Sequence, residues 1–228
     1  MKVAIIPVTP FQQNCSLLIC EKTKRAALVD PGGDLDTVLG AVDRAGASLE
    51  KILLTHGHID HCGATAELVQ RFGLPVEGPH ADDQFWIDQL PEQGRQFGFP
   101  VLQPFVPDRY LDTGDEVHVG DITFEVRHCP GHTPGHVVFV QHQHRVVFVG
   151  DVLFKGSIGR TDFPRGDLPT LIHSITTQLW PLGGDFSFVP GHGPVSTFAE
   201  ERRSNPFVSD RALAPATGQS QSAPPQSR

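Results

Sequence analysis

Short apolar, β-branched runs recur through the first third of the chain. VAIIPV, NCSLLIC and AALVD, each bounded by Pro, Asn, Lys or Gly, are predicted strands. In PGGDLDTVLGAVDRAGA the period changes: Leu35, Val38, Leu39 and Val42 recur at helical spacing, Asp34 stands where an N-cap belongs, and Gly46 follows the end. KILLT is a further strand. GATAELVQRFG is a second amphipathic helix with Ala64, Leu68, Val69 and Phe72 on one face, Gly73 as its stop and Pro75 beyond. Strands return in DITFEVRHCPG, HVVFVQH and RVVFVGDVLF, Asp167 is placed to cap a helix through LPTLIHSITTQLW, and FSFVPGHG supplies the last strand.

Two segments break this rhythm. Between Pro79 and Tyr110, HADDQFWIDQL has the spacing of a helix presenting Phe85, Trp86 and Leu90, whereas PEQGRQFGFPVLQPFVPDRY, with its prolines among aromatics, is expected as a long loop, either a binding segment or a satellite cluster. Near the C-terminus ALAPATGQSQSAPPQSR is poor in large apolar residues and is expected to be disordered. The organisation read from this is one domain over 1–207 and a tail over 208–228. Strand and helix, then strands, then helix and strand suggest two half-units packed sheet on sheet with helices outside. That is a four-layer αββα sandwich of the α/β (α+β) class, although other mixed folds share the layout.

Composition narrows the function classes. The 228 residues carry a net charge of −8, and no Lys/Arg run exceeds two residues, so the footprint of a nucleic-acid or anionic-membrane binder is missing. A small-molecule substrate is expected instead. The N-terminal apolar run is short and broken by Pro7 and Pro10, unlike a signal peptide, and no stretch reaches membrane-spanning length; a cytoplasmic location is expected. Cys15, Cys20, Cys62 and Cys129 form no CxxC pair, which suits free thiols in a reducing compartment, with Cys62 and Cys129 beside histidine motifs.

The chemistry concentrates in LLTHGHIDHCG. Residues i and i+2 of an extended chain point the same way, so His56 and His58 can converge on one ion, while Asp60 and His61 fall in the following turn and can face a second. Imidazoles with a carboxylate suit Zn²⁺ or Fe²⁺ with positions left open for water. Further donors stand at strand ends followed by glycine-rich turns: His132 in CPGHTPGH, Asp151 in FVGDVLF and His192 in VPGHGP. Taken singly, such a residue is more often a capping or hydrogen-bonding group. The remaining histidines lack this setting, and His136 is the replacement ligand should His132 turn away.

The set HxHxDH at His56 to His61 followed by His132, Asp151 and His192 resembles the metallo-β-lactamase superfamily. The resemblance implies the αββα fold with the site at one sheet edge. It also implies a metal pair: His56, His58 and His132 on the first ion, Asp60, His61 and His192 on the second, Asp151 bridging, and a shared water or hydroxide as eighth donor. Members that open β-lactams usually lack the bridging aspartate, whereas the glyoxalase II type has it. PVTPFQQNCSLL, ALVDPGGD, GDVLFKGSIGRTDFPRGD and VPGHGPVST resemble the short bacterial glyoxalase II-like hydrolases.

That resemblance implies hydrolysis of a thioester of glutathione, S-lactoylglutathione, to a 2-hydroxy acid and glutathione. Two divalent ions serve it, Zn with Fe or Mn as alternatives, and Asp60 and Asp151 are the catalytic carboxylates. Arg160 falls where glyoxalase II has a substrate-binding lysine, and Asp162 replaces a tyrosine; Arg160 either pairs with a glutathione carboxylate or with Asp162 or Asp167. Lys155 and Arg165 are candidates of the same kind. Full-length glyoxalase II has a helical C-terminal domain that helps hold glutathione, whereas only a few dozen residues follow His192 here, many of them in the expected tail. The rival enzyme is a mononuclear-iron persulfide dioxygenase, whose family shares the hexapeptide and GRTDF. A non-enzymatic metal-binding protein is disfavoured, because structural sites normally close their coordination shell.

Overall fold

Side chains alternate faces along each strand, and in the inner strands both faces are buried, so adjacent apolar residues are dealt to different cores. In the computed structural model, which describes residues 1–99 and 102–214, β2 (Gln13–Ile19) sends Leu17 and Ile19 to one core and Leu18 to another. Strand β3 (Arg25–Val29) splits Ala26 and Leu28 from Ala27 and Val29, and β8 (Val137–Gln141) splits Val138 and Val140 from Val137 and Phe139. Three cores result, as four layers require. The outer two lie under helices. The middle one, with Phe124, Phe139 and Phe148 fully buried, lies between the sheets; truncating any of these three to Ala is expected to cost about 3–5 kcal/mol.

The first sheet runs β1 (Lys2–Val8), β2, β3, β4 (Ser48–Leu53) and β5 (Val76–Glu77), and turns parallel at the β3–β4 pair. The second has six strands ordered β13-β12-β9-β8-β7-β6, with β6 Glu116–Val119, β7 Ile122–His128, β9 Val146–Gly150, β12 Ser187–Pro190 and β13 Ser196–Thr197. A small hairpin, β10 (Leu153–Phe154) with β11 (Ser157–Ile158), stands apart. Helices α1 (Leu35–Ala45), α2 (Ile59–Cys62), α3 (Thr65–Phe72), α4 (Gln84–Asp88) and α5 (Leu90–Phe97) belong to the first half; α6 (Leu168–Ser174) and α7 (Phe198–Ser204) belong to the second. The αββα class expected from the layout is the observed one.

Several local expectations need correction. The stretch expected as a loop after Leu90 opens with α5, with Pro91 in its first turn, where a missing N–H costs nothing, and Gly98 as a left-handed C-cap. Asp34 precedes α1 but makes no capping bond; its carboxylate accepts the Thr9 N–H at 2.7 Å. Phe72 is 49% exposed rather than on the buried face of α3. Packed chain also continues past the boundary expected at 207: Val208 is fully buried in the core under α6 and α7, and Ser209 is buried. Residues 215–228 of the expected tail lie outside the described residues. Asp167 caps α6 as expected, accepting the Thr170 N–H at 2.9 Å. Among the described residues no helix is long and apolar enough to cross a membrane.

Candidate metal centre

Five loops meet at one edge of the two sheets. Four follow β4, β7, β9 and β12 and carry the donors expected from the sequence; the fifth, between β1 and β2, holds His192 in place. His56 Nε2 lies 3.1 Å from His58 Nδ1, which lies 3.0 Å from His132 Nε2, so three imidazole nitrogens converge. Asp60 Oδ2 lies 3.2 Å from His192 Nε2 and 3.9 Å from His61 Nε2, a second convergent group. Within each group the donor atoms all lie within 4.8 Å of one another. Asp151 reaches both groups: Oδ2 is 3.6 Å from His132 Nε2, and Oδ1 is 3.4 Å from His61 Nε2.

Hydrogen bonds behind the rings decide which nitrogen faces the centre. His61 Nδ1–H donates to Asp30 Oδ2 at 3.0 Å, His132 Nδ1–H to the Arg160 carbonyl at 2.7 Å, and His192 Nδ1–H to the Phe11 carbonyl at 3.1 Å. His56 Nδ1 lies 3.0 Å from the Thr55 hydroxyl, which itself donates to Asp30 Oδ2 at 2.6 Å. Each of these four rings therefore turns its Nε2 inward, the outer-partner arrangement by which proteins fix ligand tautomer and orientation. Asn14 adds a backbone hold, its amide donating to the Pro190 and Gly193 carbonyls on either side of His192.

The donor set fits divalent cations on grounds internal to this structure. His61 Nε2 and Asp151 Oδ1 are buried without a hydrogen-bond partner, a costly state unless a ligand completes it. Gly191 keeps the place between them open, since a Cβ there would lie 2.1 Å from Asp151 Oδ1 and 2.6 Å from His61 Cε1. Electrostatics separates the two groups. Burial, aided by neighbouring histidines, pushes His56 and His58 well below the ordinary imidazole value, and burial lowers His132, so these rings are neutral and ready to coordinate. Burial also opposes the charged form of His61, but Asp151 and Asp60 overcome it and raise His61 well above 6.5. His192 is raised by Asp60 and Asp151 against the same penalty, and Asp151, despite burial, is held below the carboxylate range mainly by His61.

His136, the replacement ligand, sits behind the centre. Its Nε2 accepts the Asp151 N–H at 3.1 Å and its ring stacks on His56 at 4.6 Å. Cys62 and Cys129 are buried free thiols, as are Cys15 and Cys20; Cys62 Sγ donates to the His58 carbonyl at 3.2 Å. The Arg160 fork is taken by Asp162, at 2.7 and 2.6 Å, and lies over the Phe163 ring. Lys155 lines the cavity, and its charge is felt by the Glu200 carboxylate. Arg165 is instead stacked over Phe85 at 4.0 Å. The cavity above the donors measures about 900 Å³, with Phe11, Trp86, Phe97, Phe154 and Phe163 giving it a largely apolar wall. Sequence reading missed Asn14, Asp30, Thr55 and Asp83. For the first three the available signal was a polar residue inside or ending an apolar run, as in NCSLLIC, AALVD and KILLT; Asp83 had no such signal.

An αββα sandwich carrying two donor groups joined by a carboxylate at one sheet edge defines the metallohydrolase class of the metallo-β-lactamase type. Residues 8–195 match the metallo-beta-lactamase superfamily, and the chain belongs to it and is an enzyme. It is similar to the hydroxyacylglutathione hydrolase GloC of Haemophilus influenzae, 47% identical over 213 residues that cover 93% of this chain and 100% of that protein. Among solved structures, the BLEG-1 B3 metallo-beta-lactamase has a TM-score of 0.83 at 36% identity, covering 91% of this chain and 99% of its own. TTHA1623, in a di-iron-bound form, has a TM-score of 0.81 at 37% identity, covering 90% and 99%.

Proposed function

We propose that this enzyme is a glyoxalase II-type thioester hydrolase that converts S-lactoylglutathione, or a related S-2-hydroxyacylglutathione, to the 2-hydroxy acid and glutathione. The observation that carries the reading is the position of Asp151 between the His56–His58–His132 and Asp60–His61–His192 groups at the floor of a largely apolar cavity. The 47% identity to a protein named as a hydroxyacylglutathione hydrolase supports it.

His56, His58 and His132 would hold one divalent ion, and Asp60, His61 and His192 a second, with Asp151 shared; the nitrogen and oxygen donors suit Zn²⁺, or Fe or Mn in its place. Such ions supply Lewis acidity toward a carbonyl oxygen and bring the pKa of water to about 7. Asp60, only partly covered and on the cavity floor, orients the attacking water and accepts its proton. The aromatic wall keeps bulk water from the acyl group. No side chain need protonate the leaving group, because a thiol has a pKa of about 8.5 and departs as thiolate. Lys155, on the cavity wall, would receive a substrate carboxylate, and Arg160 would join it by leaving Asp162, since an exposed ion pair exchanges readily. The four free thiols accord with a cytoplasmic enzyme.

Loss of thioester absorbance from S-lactoylglutathione, followed with metal-loaded and chelated protein, tests the reading. Turnover that disappears on chelation is expected. Oxygen uptake with glutathione persulfide, or opening of a chromogenic β-lactam, in place of thioester cleavage would overturn it.

A further inference from the structure

Four of the five histidines at the centre have the outer ring nitrogen hydrogen-bonded to an oxygen, and His58 does not. Its Nδ1 faces His56 and His132, and its Nε2 is buried with no polar partner. The ring is instead flanked by aromatics, meeting Trp86 at 4.5 Å and Phe163 at 4.9 Å edge to face. Packing of this kind limits where the ring can go but does not fix its direction as a hydrogen bond does.

The backbone on either side of His58 is held by two buried side chains. Gly57 N–H donates to Asp83 Oδ2 at 2.9 Å, and Ile59 N–H donates to Gln93 Oε1 at 3.2 Å. The same Asp83 accepts the Thr133 hydroxyl at 2.8 Å and the Gly135 N–H at 2.6 Å, which ties the His58 loop to the His132 loop. Gln93 Nε2 donates to the Trp86 carbonyl at 2.8 Å, which links the two holds to the ring that packs on His58. Gly57 admits this contact, because a Cβ there would lie 2.8 Å from Trp86 Cβ. Asp83, Trp86 and Gln93 all come from the segment between β5 and β6, and Trp86 and Gln93 also line the substrate cavity.

From this, and resting on the metal-centre reading above, we infer that Asp83 and Gln93 are positioning residues that act as a clasp on His58. They stand in for the ring hydrogen bond this ligand lacks and set the affinity of the His56–His58–His132 group for its ion. A substitution that removes the clasp costs that ion selectively and leaves the Asp60–His61–His192 group loaded.

The test is a metal titration of the full-length protein against a chromogenic chelator, with Zn²⁺ and then Co²⁺, on wild type, Asp83→Asn, Gln93→Met and Val42→Ala. Val42→Ala truncates the core under α1, away from the loops, and controls for general destabilisation. Asp83→Asn and Gln93→Met are expected to release one ion about 10- to 100-fold more readily, at chelator levels where wild type and Val42→Ala keep two. The Co²⁺ visible spectrum is expected to lose one component only. Should Asp83→Asn not fold, Gln93→Met, which keeps the side-chain length, carries the test alone. Wild-type affinity for both ions in the folded clasp variants, equal loss in Val42→Ala, or a wild type that binds no ion overturns the clasp. Selective loss supports it whether or not S-lactoylglutathione is cleaved, so its failure and that of the substrate assignment are read separately.

Discussion

At the scale of the residue, the centre is governed by groups that touch no substrate. Asp30 accepts three hydrogen bonds, from the Thr55 N–H, the Thr55 hydroxyl and His61 Nδ1, and so sets the direction of His61 and, through Thr55, of His56. Asp30→Asn offers a donor where acceptors are needed and is expected to lower metal affinity or turnover about 10- to 100-fold, read by chelator competition. A second expectation comes from the protons on His61 and His192. Both rings have pKa values raised by the carboxylates around them, so metal loading must displace protons and affinity must rise with pH. Calorimetric titration in buffers of different ionisation enthalpy is expected to show proton release near neutral pH, and weaker binding at pH 6 than at pH 8; proton-neutral uptake would contradict the charge assignment. For the metal-free fold the sign follows from the same shifts. Stabilisation by protonated His61 and His192 is full below 6.5 and is lost as pH rises through the raised folded values. Stabilisation by ionised Asp151, whose pKa is depressed, is lost as pH falls below the ordinary 3.8.

At the scale of the element, the ligand loops are short, and their backbones must approach closely. Gly191 lies between the end of β12 and His192, and any Cβ there enters the place between Asp151 and His61. Gly191→Ala is expected to cost about 100-fold or more in turnover, since displacement of about 1 Å at a reacting centre has that effect, with far-UV circular dichroism unchanged. An alanine variant of native activity would mean that the place between those donors is not used. The same elements show why part of the site could be read in advance. Each donor loop follows an apolar strand and has a glycine beside the donor, as at Gly57, Gly131, Gly150 and Gly191, a local pattern that needs no knowledge of partners. The clasp could not be read this way. Asp83 and Gln93 are ordinary polar residues in a polar segment, and only the return of that segment across the His58 loop gives them a role. Helix α5 was hidden because LPEQGRQF contains Pro and Gly and few apolar residues, so its stability comes from burying Leu90, Gln93 and Gly94 rather than from its own pattern. Conversely strands β2 and β8 were easy to find, because burial on both faces gives them the continuous apolar runs Leu17–Ile19 and Val137–Val140.

At the scale of the whole molecule, the donors are divided between the two halves. His56, His58, Asp60 and His61 follow the first sheet's β4, whereas His132, Asp151 and His192 belong to loops of the second sheet. Neither half holds a complete group, since His132 completes the first and His192 the second. An ion at either place would therefore bind the assembled sandwich and not the unfolded chain, which would make it a cross-link between half-units, added to the inter-sheet core and to the loop hydrogen bonds that already join them. At free metal about 100 times the dissociation constant, one such ion stabilises by about 2.7 kcal/mol. For a chain of this size that corresponds to a melting temperature higher by about 5 to 10 °C. Thermal unfolding with a chelator, then with stepwise return of Zn²⁺, is expected to show a rise of that order as each ion is restored. In His192→Ala, where the second group is incomplete, only one rise is expected. A melting temperature indifferent to chelation would mean that the inter-sheet core and the loop hydrogen bonds suffice to hold the halves, and that the donors converge without needing an ion to keep them there.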